Sequence, residues 1–322
     1  MLVLGIESSC DETAVSLVGD KERVYSNIVS SSLNFHKRYK GIIPEIASRH
    51  HLETISIVLK DALNQARVSL KDIDLIAVTK EPGLPGSLLV GTCFAKALSA
   101  AANIPLIQIN HLDAHLYASF FSKNKPGFPF IGLVVSGGHT SLFYVKHFSK
   151  IKLLGLTQDD ACGEAFDKVA SILGLGYPGG PVIERLAKKG NPEKIRFSCS
   201  NTQNPLNFSF SGIKTAVLYY AKKNIPVFRH KQNSHKKVIA DIAASFQETV
   251  IDALIKKSLL ACKLKNINQL VIGGGVAANN RLREKFLEAA KINDLDIYFS
   301  PKEFCTDNAV MVAGLGYSIV NN

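Results

Sequence analysis

Alternating hydrophobic positions divide the first part of the chain into strands and helices. The runs VLGI (3–6) and TAVSLV (13–18) predict two strands around the polar turn ESSCDE. A third strand is indicated near 24–29, and a helix signal begins at Pro44 and continues to about Ala66. These patterns predict a small sheet that is followed by one long helix.

The next segments continue to alternate between the two kinds of element. The apolar runs IDLIAVT (73–79) and IPLIQI (104–109) predict strands, and the small residues between them predict a helix over 87–102. The segment FIGLVVSGGHTSLFYV (130–145) then predicts two strands around a tight Gly-Gly turn. Alternation of strands with helices is typical of an α/β fold.

Two segments of the chain share one plan. VLGIESSCDETAVSLV (3–18) and FIGLVVSGGHTSLFYV (130–145) each contain an apolar strand, a small polar turn with serine, a threonine and a second apolar strand. The pairing predicts a duplicated lobe. Each turn exposes backbone N–H groups and hydroxyls that suit phosphate oxygens, although a plain β-hairpin turn explains either copy taken alone.

A third glycine-rich segment lies nearer the C-terminus. LVIGGGVAANNRLREKF (270–286) predicts a strand, three consecutive glycines and a helix that starts near Ala277 or Ala278. Glycines at the end of a strand allow a nucleotide to approach the backbone closely. The segment is neither GxGxxG nor a Walker motif, so neither Rossmann nor P-loop binding is indicated. Long helices are predicted over 235–264 and 307–320.

Two histidines stand four positions apart in NHLDAHLYASFF (110–121). Asn110 is a good N-cap for a helix that begins at His111, which places His111 and His115 on one helix face, about 5–6 Å apart at Cβ. Two imidazoles at that spacing can bind one metal ion. An isolated pair is more often two ordinary polar residues at a strand–helix junction, so a third ligand is needed.

Composition excludes several classes of protein. The 322 residues are 46% hydrophobic, enough for one large domain or two lobes. No apolar run reaches the roughly 18 residues of a membrane span, and the start MLVLGIESSCDE does not resemble a signal peptide, so we expect a cytoplasmic protein. The six scattered cysteines form no CxxC pair, which indicates neither a disulfide framework nor a zinc ribbon.

The net charge of +11 indicates a polyanionic partner. A lysine-rich genome could also produce this excess. Many of the basic residues fall within one third of the chain, which is more typical of a surface for phosphates than of uniform enrichment. They are Lys188, Lys189, Lys194, Arg196, Lys222, Lys223, Arg229, Lys231, Lys236 and Lys237.

Nine motifs together resemble the TsaD family of tRNA threonylcarbamoyladenosine transferases. In chain order they are GIESSCDET, PEIASRHH, HLDAH, VSGGHT, GEAFDK, YPGGP, FSFSGIKT, GGGVAANNRLR and FCTDNAVM. The resemblance implies an α/β fold of the actin-like/Hsp70/sugar-kinase (ASKHA) superfamily, with two duplicated RNase H-like lobes around a central cleft. We expect an N-terminal lobe over 1–108, a C-terminal lobe with helical insertions over 109–306, and a helix over 307–322 that packs back on the first lobe.

The activity implied by the resemblance is modification of tRNA. A TsaD-type transferase moves the threonylcarbamoyl group of threonylcarbamoyl-AMP to N6 of adenosine 37 in tRNAs reading ANN codons, which makes t6A. The implied partners are the tRNA anticodon arm and the TsaB and TsaE subunits, with threonylcarbamoyl-AMP supplied by TsaC. No membrane is involved.

The resemblance also supplies a third metal ligand. Asp307 in FCTDNAVM matches the metal-binding aspartate of the family, with His111 and His115 as the other ligands. Two imidazoles and one carboxylate suit a single divalent Fe or Zn. Asp307 also has the position of an N-cap for the final helix, so capping is an alternative role.

The substrate-binding residues follow by position from the same resemblance. Asp167 in GEAFDK is expected at the ribose hydroxyls, Gly180 in YPGG near the nucleoside, and Asn279 at the nucleotide. Some members have an aspartate where this chain has Glu184. The segment implied to hold the acyl-adenylate is Val134, Val135, Ser136, Gly137 and Gly138.

Asp11 and Glu12, in the first polar turn, are our candidates for catalytic acid–base or orienting groups. The exocyclic amine of adenosine must lose a proton during transfer, and a positioned carboxylate can accept it. A turn that is packed only for structure is the alternative.

Three other functions compete with the transferase. A metalloprotease would need the glutamate of HExxH where this chain has Leu112. A nucleotide-dependent switch or scaffold would need no mononuclear metal site. A sugar or acid kinase of the same superfamily would use Mg-ATP and would leave the three metal ligands without a role.

Overall fold

The structure is a computed structural model that describes residues 1–39, 41–225 and 233–321. Arg229 and Lys231, two of the basic residues singled out above, lie outside the described residues. The chain forms two compact units, one of residues 1–125 with 300–322 and one of residues 126–299.

The described elements alternate much as the hydrophobic pattern predicts. The strands are β1 (Val3–Glu7), β2 (Glu12–Gly19), β3 (Arg23–Ser31), β4 (Leu75–Glu81), β5 (Leu106–Asn110), β6 (Phe130–Val135), β7 (Thr140–His147), β8 (Lys150–Leu156), β9 (Gln269–Gly273) and β10 (Asp296–Phe299). The α-helices are α1 (Leu33–His36), α2 (Pro44–Ala66), α3 (Pro85–Ala102), α4 (His111–Tyr117), α5 (Cys162–Ile172), α6 (Gly179–Ala187), α7 (Ser211–Asn224), α8 (Asn233–Lys265), α9 (Asn280–Asn293) and α10 (Ala309–Asn321). Short 3₁₀ helices cover Asp20–Glu22, Lys37–Tyr39, Leu70–Asp72, Ala118–Phe121, Gly275–Ala278 and Lys302–Phe304.

The two units repeat one sheet topology. In the first unit the strand order is β3-β2-β1-β4-β5, and in the second it is β8-β7-β6-β9-β10. The first three strands of each sheet run antiparallel in sequence, and the next two join the sheet in parallel. The predicted duplication of an α/β lobe is therefore confirmed.

The first sheet is covered on both faces because its central strand carries apolar side chains on one face and a glycine on the other. Leu4 and Ile6 of β1 pack in a core with α2 and α3. A Cβ added at Gly5 would point to the opposite face and would lie only 2.4 Å from the carbonyl oxygen of Ala309. Alternation along the strand thus sets α2 against one face and α10 against the other.

The second sheet is covered by the longest helix of the described chain. α8 contacts β6, β7 and β9, and α6 packs along α8. α5 in turn packs against α6 and α7. No helix in the described ranges is long and apolar enough to span a membrane.

The compact units divide at residues different from those expected from the motifs. Residues 109–125 and 300–306 belong to the first unit rather than to the second. The reason is local, because β5 continues directly into α4, and α4 packs against α10. The final helix also begins at Ala309, two positions later than the predicted start at 307.

Candidate metal centre and nucleotide-binding loops

The two histidines begin a helix directly at the end of β5. Oδ1 of Asn110 accepts hydrogen bonds from the backbone N–H groups of Leu112 and Asp113, at 2.9 and 3.2 Å. This cap sets the start of α4 at His111, as predicted, so that His115 follows one turn later on the same face. Both side chains are buried, and their ring centroids lie 4.5 Å apart.

Asp307 meets the histidines from the segment that precedes α10. Its Oδ1 lies 3.1 Å from Nε2 of His115 and 3.6 Å from Nε2 of His111. The alternative role considered for Asp307 was the N-cap of the final helix. Asn308 fills that role, because its Oδ1 accepts a hydrogen bond from the N–H of Met311 at 3.1 Å.

The donor set of these three residues fits a divalent cation. One ligand atom from each residue lies within 4.8 Å of the other two, and two imidazoles with a carboxylate suit Fe or Zn. Burial and the charge of His111 lower the pKa of His115, which keeps this ring neutral and able to donate a lone pair. Nδ1 of His115 is buried without a hydrogen-bond partner among the described residues.

Glu7 is a functional candidate that the sequence analysis missed. This last residue of β1 is fully buried, and its Oε1 accepts a hydrogen bond from the N–H of Ser9 at 2.5 Å. Its Oε2 accepts one from the Thr79 hydroxyl at 2.5 Å and lies 3.2 Å from Nδ1 of His111. When Nδ1 donates to this oxygen, Nε2 is left facing Asp307. Carboxylates orient metal-ligating histidines in this way.

The two carboxylates give the surroundings of His111 a preference for positive charge. Burial lowers the pKa of His111, but Asp307 and Glu7 outweigh burial and raise it to about 9. Burial also acts to raise the pKa of Glu7, yet the neighbouring His111 holds it below its usual value. The carboxylates of Glu7 and Asp307 thus favour positive charge beside His111.

Asp11 and Glu12 lie at the turn between β1 and β2. Burial is the largest cause that raises the pKa of each carboxyl group, and the charge of Asp307 acts in the same direction. The neighbouring Asp11 raises the pKa of Glu12 further. This pair therefore holds a proton more tightly than free carboxylates do, which is a property of catalytic acids and bases.

His51 of α2 holds the same turn in place. Its Nε2 lies 3.0 Å from the carbonyl oxygen of Cys10, and its Nδ1 lies 2.7 Å from the hydroxyl of Thr13. A neutral ring that donates through Nε2 and accepts through Nδ1 thus contacts the residues on either side of Asp11 and Glu12. The motif PEIASRHH, to which the sequence analysis gave no role, supports this turn.

In the second unit, the turn between β6 and β7 is a loop of small residues beside a helix N-terminus. The N–H of Ser136 donates to the carbonyl of His139 at 2.8 Å, and its hydroxyl accepts from the N–H of His139 at 3.1 Å. Gly137 and Gly138 are exposed, with open space where a Cβ would stand. α5 begins against this turn, since the N–H of Gly163 donates to the Ser136 carbonyl at 3.0 Å. Such a turn suits a phosphate group.

Val134 and Val135 differ from the rest of this segment because they lie inside β6. Both side chains are fully buried, and the strand pairs with β7 on one side and β9 on the other. Gly274 follows β9 with φ of +95°, and a Cβ there would lie 2.4 Å from the carbonyl oxygen of Val135. The structure thus joins the VSGG turn to the triple-glycine segment at the carboxyl ends of parallel strands, where α/β folds bind ligands.

Asp167 and Gly180 come together at the start of α6. Oδ1 of Asp167 accepts a hydrogen bond from the N–H of Gly179 at 2.6 Å. Gly180, the next residue, has open space where a Cβ would stand. Further along α6, Glu184 accepts hydrogen bonds from the backbone N–H and the side-chain amide of Asn280, at 3.0 and 2.6 Å. Glu184 thereby ties α6 to the first residue of α9.

Asn279 has two structural hydrogen bonds. Its Oδ1 caps α9 by accepting from the N–H of Leu282 at 2.9 Å, and its amide donates to Gln247 at 2.9 Å. The predicted helix start at Ala277 or Ala278 is wrong, because those residues form a 3₁₀ turn and the cap delays the helix to the following residue.

Solved structures establish the fold of the chain. Full-length HypF in its phosphate- and nucleotide-bound form matches with a TM-score of 0.63 and 14% identity, over 100% of this chain and 56% of that one. The (R)-2-hydroxyglutaryl-CoA dehydratase component A of Acidaminococcus fermentans matches with a TM-score of 0.58 and 16% identity, over 100% of both chains. At these identities the matches show the fold alone, and they confirm the predicted α/β fold of two lobes.

Relatives of known name are much more similar in sequence. The chain is 51% identical over 320 residues to the tRNA N6-adenosine threonylcarbamoyltransferase of Thermosipho melanesiensis, covering 99% of this chain and 95% of that protein. The enzyme of the same name from Syntrophus aciditrophicus is 47% identical over 321 residues, covering 100% of this chain and 93% of that protein. Residues 23–314 also match the family described as TsaD, tRNA N6-adenosine threonylcarbamoyltransferase. The resemblance read from the nine motifs is thus confirmed, and the chain belongs to the TsaD family of tRNA N6-adenosine threonylcarbamoyltransferases.

Proposed function

We propose that this chain transfers the threonylcarbamoyl group of threonylcarbamoyl-AMP to N6 of adenosine 37 in tRNAs that read ANN codons. The observation that carries the proposal is the buried cluster of His111, His115 and Asp307, found in a chain whose relatives carry the name of this transfer. Neither a kinase nor a nucleotide-dependent scaffold would need this cluster.

The first unit supplies a cation site and a pair of carboxyl groups. A divalent Fe or Zn held by His111, His115 and Asp307 would supply Lewis-acid stabilisation of oxygens on the threonylcarbamoyl group. Asp11 and Glu12 are proposed to take the proton that N6 loses as the new C–N bond forms. The bond between the carbamoyl carbon and the AMP oxygen then breaks, and AMP leaves with its electron pair.

The second unit supplies contacts for the adenylate. The turn Ser136–Gly138 and the N-terminus of α5 would donate hydrogen bonds to its phosphate, a charge that increases as AMP departs. Val134 and Val135 shape the strand that leads into this turn. Asp167 is proposed to bind the ribose hydroxyls, with Gly180 and Asn279 near the nucleoside.

The chain is proposed to work with the TsaB and TsaE subunits, while TsaC makes the adenylate. We propose that TsaB docks on α2 and α3, where Leu52 and Leu89 are 66% and 62% exposed. Both line one apolar groove together with Val90 and Phe94. A groove of this composition is typical of a protein interface.

The experiment follows labelled threonine into an unmodified tRNA transcript. Wild type and Asp307→Ala are compared with TsaB, TsaE, TsaC, bicarbonate and ATP present. We expect label in the tRNA only with the wild type, because the variant lacks one of three cation ligands. Circular dichroism of the two proteins shows whether the substitution leaves the fold intact.

No label with the wild type, despite active partner proteins, would favour the nucleotide-dependent scaffold instead. Equal labelling by the folded variant would remove Asp307 from the chemistry and leave the transferase activity standing.

A further inference from the structure

A cluster of basic residues in the second unit lies where a loop crosses the start of the longest helix. The loop of residues 188–196 follows α6 and passes over the first turns of α8. We refer to the exposed basic side chains of the loop and of these turns as the basic ridge. Its members are Lys188, Lys189, Lys194, Arg196, Lys236 and Lys237.

Hydrogen bonds fasten the loop to one face of α8. The N–H of Asn191 donates to Asp241 at 2.7 Å, and the N–H of Ile195 donates to the hydroxyl of Ser245 at 3.2 Å. The two acceptors stand four residues apart and therefore share a helix face. The loop that carries the basic side chains is thus fixed at both of these points.

Close backbone packing holds the loop immediately before the first of these hydrogen bonds. A Cβ at Gly190 would lie only 2.0 Å from the carbonyl oxygen of Ala240, so glycine is required at this crossing. Beside it, Nζ of Lys237 donates to the carbonyl of Lys189 at 3.3 Å. The ridge is therefore presented by a fixed scaffold, which lowers the entropy lost when it binds a partner.

The positive charge of the ridge is largely uncompensated. Among the described residues, no carboxylate lies within ion-pair distance of the loop's four basic side chains, whereas Lys237 pairs with Asp241 at 3.2 Å. Glu193 is the acidic residue exposed within the loop. On α9 the pattern is different, because Arg281 and Lys285 both pair with Glu248. A concentration of unpaired cations is the electrostatic signature of a polyanion-binding surface.

The ridge lies near one of the residues proposed to contact the adenylate. Lys188 lines a surface depression together with Gln247, Asn280 and three glutamates, Glu184, Glu248 and Glu284. Gln247 in turn accepts the hydrogen bond from the amide of Asn279. A polymer bound along the ridge would therefore lie near Asn279, one of the proposed nucleotide-binding residues of the same unit.

We propose that the basic ridge binds the sugar–phosphate backbone of the tRNA substrate. This inference rests on the proposed function, which requires an RNA chain to reach this protein. An anionic membrane surface offers similar charges, but the ridge is formed by a loop crossing a helix. Within the part of the chain that the structure describes, it has no adjoining row of exposed apolar side chains to insert into lipid. The phosphates of an RNA chain, by contrast, can be bound by the positive charges of the ridge on their fixed scaffold alone.

The test reverses three charges of the ridge in the full chain. We compare the ridge variant Lys188→Glu, Lys189→Glu, Lys194→Glu with a control variant, Lys256→Glu, Lys263→Glu, Lys291→Glu. The control makes the same change in net charge at exposed positions elsewhere in the second unit. Binding of an unmodified tRNA transcript is titrated at several salt concentrations.

We expect the ridge variant to bind tRNA at least ~10-fold more weakly and the control to stay within about 2-fold of the wild type. The negative slope of log K against log salt should become shallower by roughly 2 to 3, which corresponds to about 0.7–0.9 for each lost phosphate contact. The glutamine versions of the three substitutions should give a smaller loss in the same direction.

Equal loss in ridge and control variants would overturn the inference, because total charge rather than the ridge would then govern binding. It would also be overturned if the ridge variant bound tRNA normally but lost affinity for phosphatidylglycerol vesicles. The transfer assay separates the two proposals. A wild type that binds tRNA through the ridge but transfers nothing would refute only the proposed function, whereas normal transfer by the ridge variant with unchanged KM for tRNA would refute only the ridge.

Discussion

The carboxylate of Glu7 is fully buried, which is energetically unfavourable for a charged group. An ion removed from water costs several kcal/mol unless partners compensate it, and Glu7 has Ser9, Thr79 and His111 as partners. The sequence did carry a signal, since an acidic residue ends the otherwise apolar run VLGI. By its position alone Glu7 also fits the start of a polar turn, because alternation along a strand does not reveal partners distant in sequence.

The substitution Glu7→Gln should weaken metal binding while keeping the size of the side chain. Glutamine carries no charge to stabilise the cation site, and it has one acceptor oxygen where both oxygens of Glu7 are in use, Oε1 by Ser9 and Oε2 by Thr79 and His111. We expect the affinity for Zn²⁺ to fall about 10–100-fold, the usual effect of losing such an orienting group. Competition with a chromogenic chelator measures this directly on purified protein.

Glu45→Gln is the matched control, because it removes the same charge from the first unit at an exposed residue that pairs with Arg49. Unchanged affinity in Glu7→Gln, or an equal loss in both variants, would contradict the orienting role of Glu7.

The elements that determine the site were predictable to different degrees. Asn110 and the spacing of His111 and His115 predicted the start of α4 because capping and helix periodicity are local. Asp307 could not be found in this way, since its contact with His115 joins distant parts of the chain, and it came from the family resemblance.

The edge strands β8 and β10 and the helix α7 were not predicted. β8 is mostly exposed and β10 is very short, so neither has a strong hydrophobic pattern.

Gly5 determines how closely α10 packs on β1. A Cβ at this position would lie 2.4 Å from the carbonyl oxygen of Ala309 and 2.9 Å from Cβ of Ala313. We expect Gly5→Ala to lower the free energy of unfolding by about 1–3 kcal/mol, as overpacked cores do. It should also weaken metal binding, because Asp307 is adjacent to Asn308, the N-cap of α10. Urea denaturation measures the first effect and chelator competition the second.

Gly41→Ala serves as the control, since a Cβ there would meet no atom within 4 Å. A stability of Gly5→Ala equal to that of the control would show that α10 can shift without cost and that the close packing is not required.

At the scale of the whole molecule, duplication was the most predictable feature. The two strand–turn–strand segments predicted repeated lobes, and both sheets have the same topology. The extent of each unit was less predictable. The first unit includes two segments that are far apart in the sequence, because α4 and α10 pack together, and a hydrophobic pattern along the chain does not report such pairing. The catalytic assignment of Asp11 and Glu12 remains a prediction.

The most direct test of the central claim identifies the modified nucleoside. A tRNA transcript is incubated with threonylcarbamoyl-AMP, this chain, TsaB and TsaE, then digested and analysed by mass spectrometry, beside a transcript with guanosine at position 37. We predict threonylcarbamoyladenosine from the first transcript and none from the second. Unmodified adenosine in the first transcript, with tRNA binding intact, or equal modification of the second, would contradict the account.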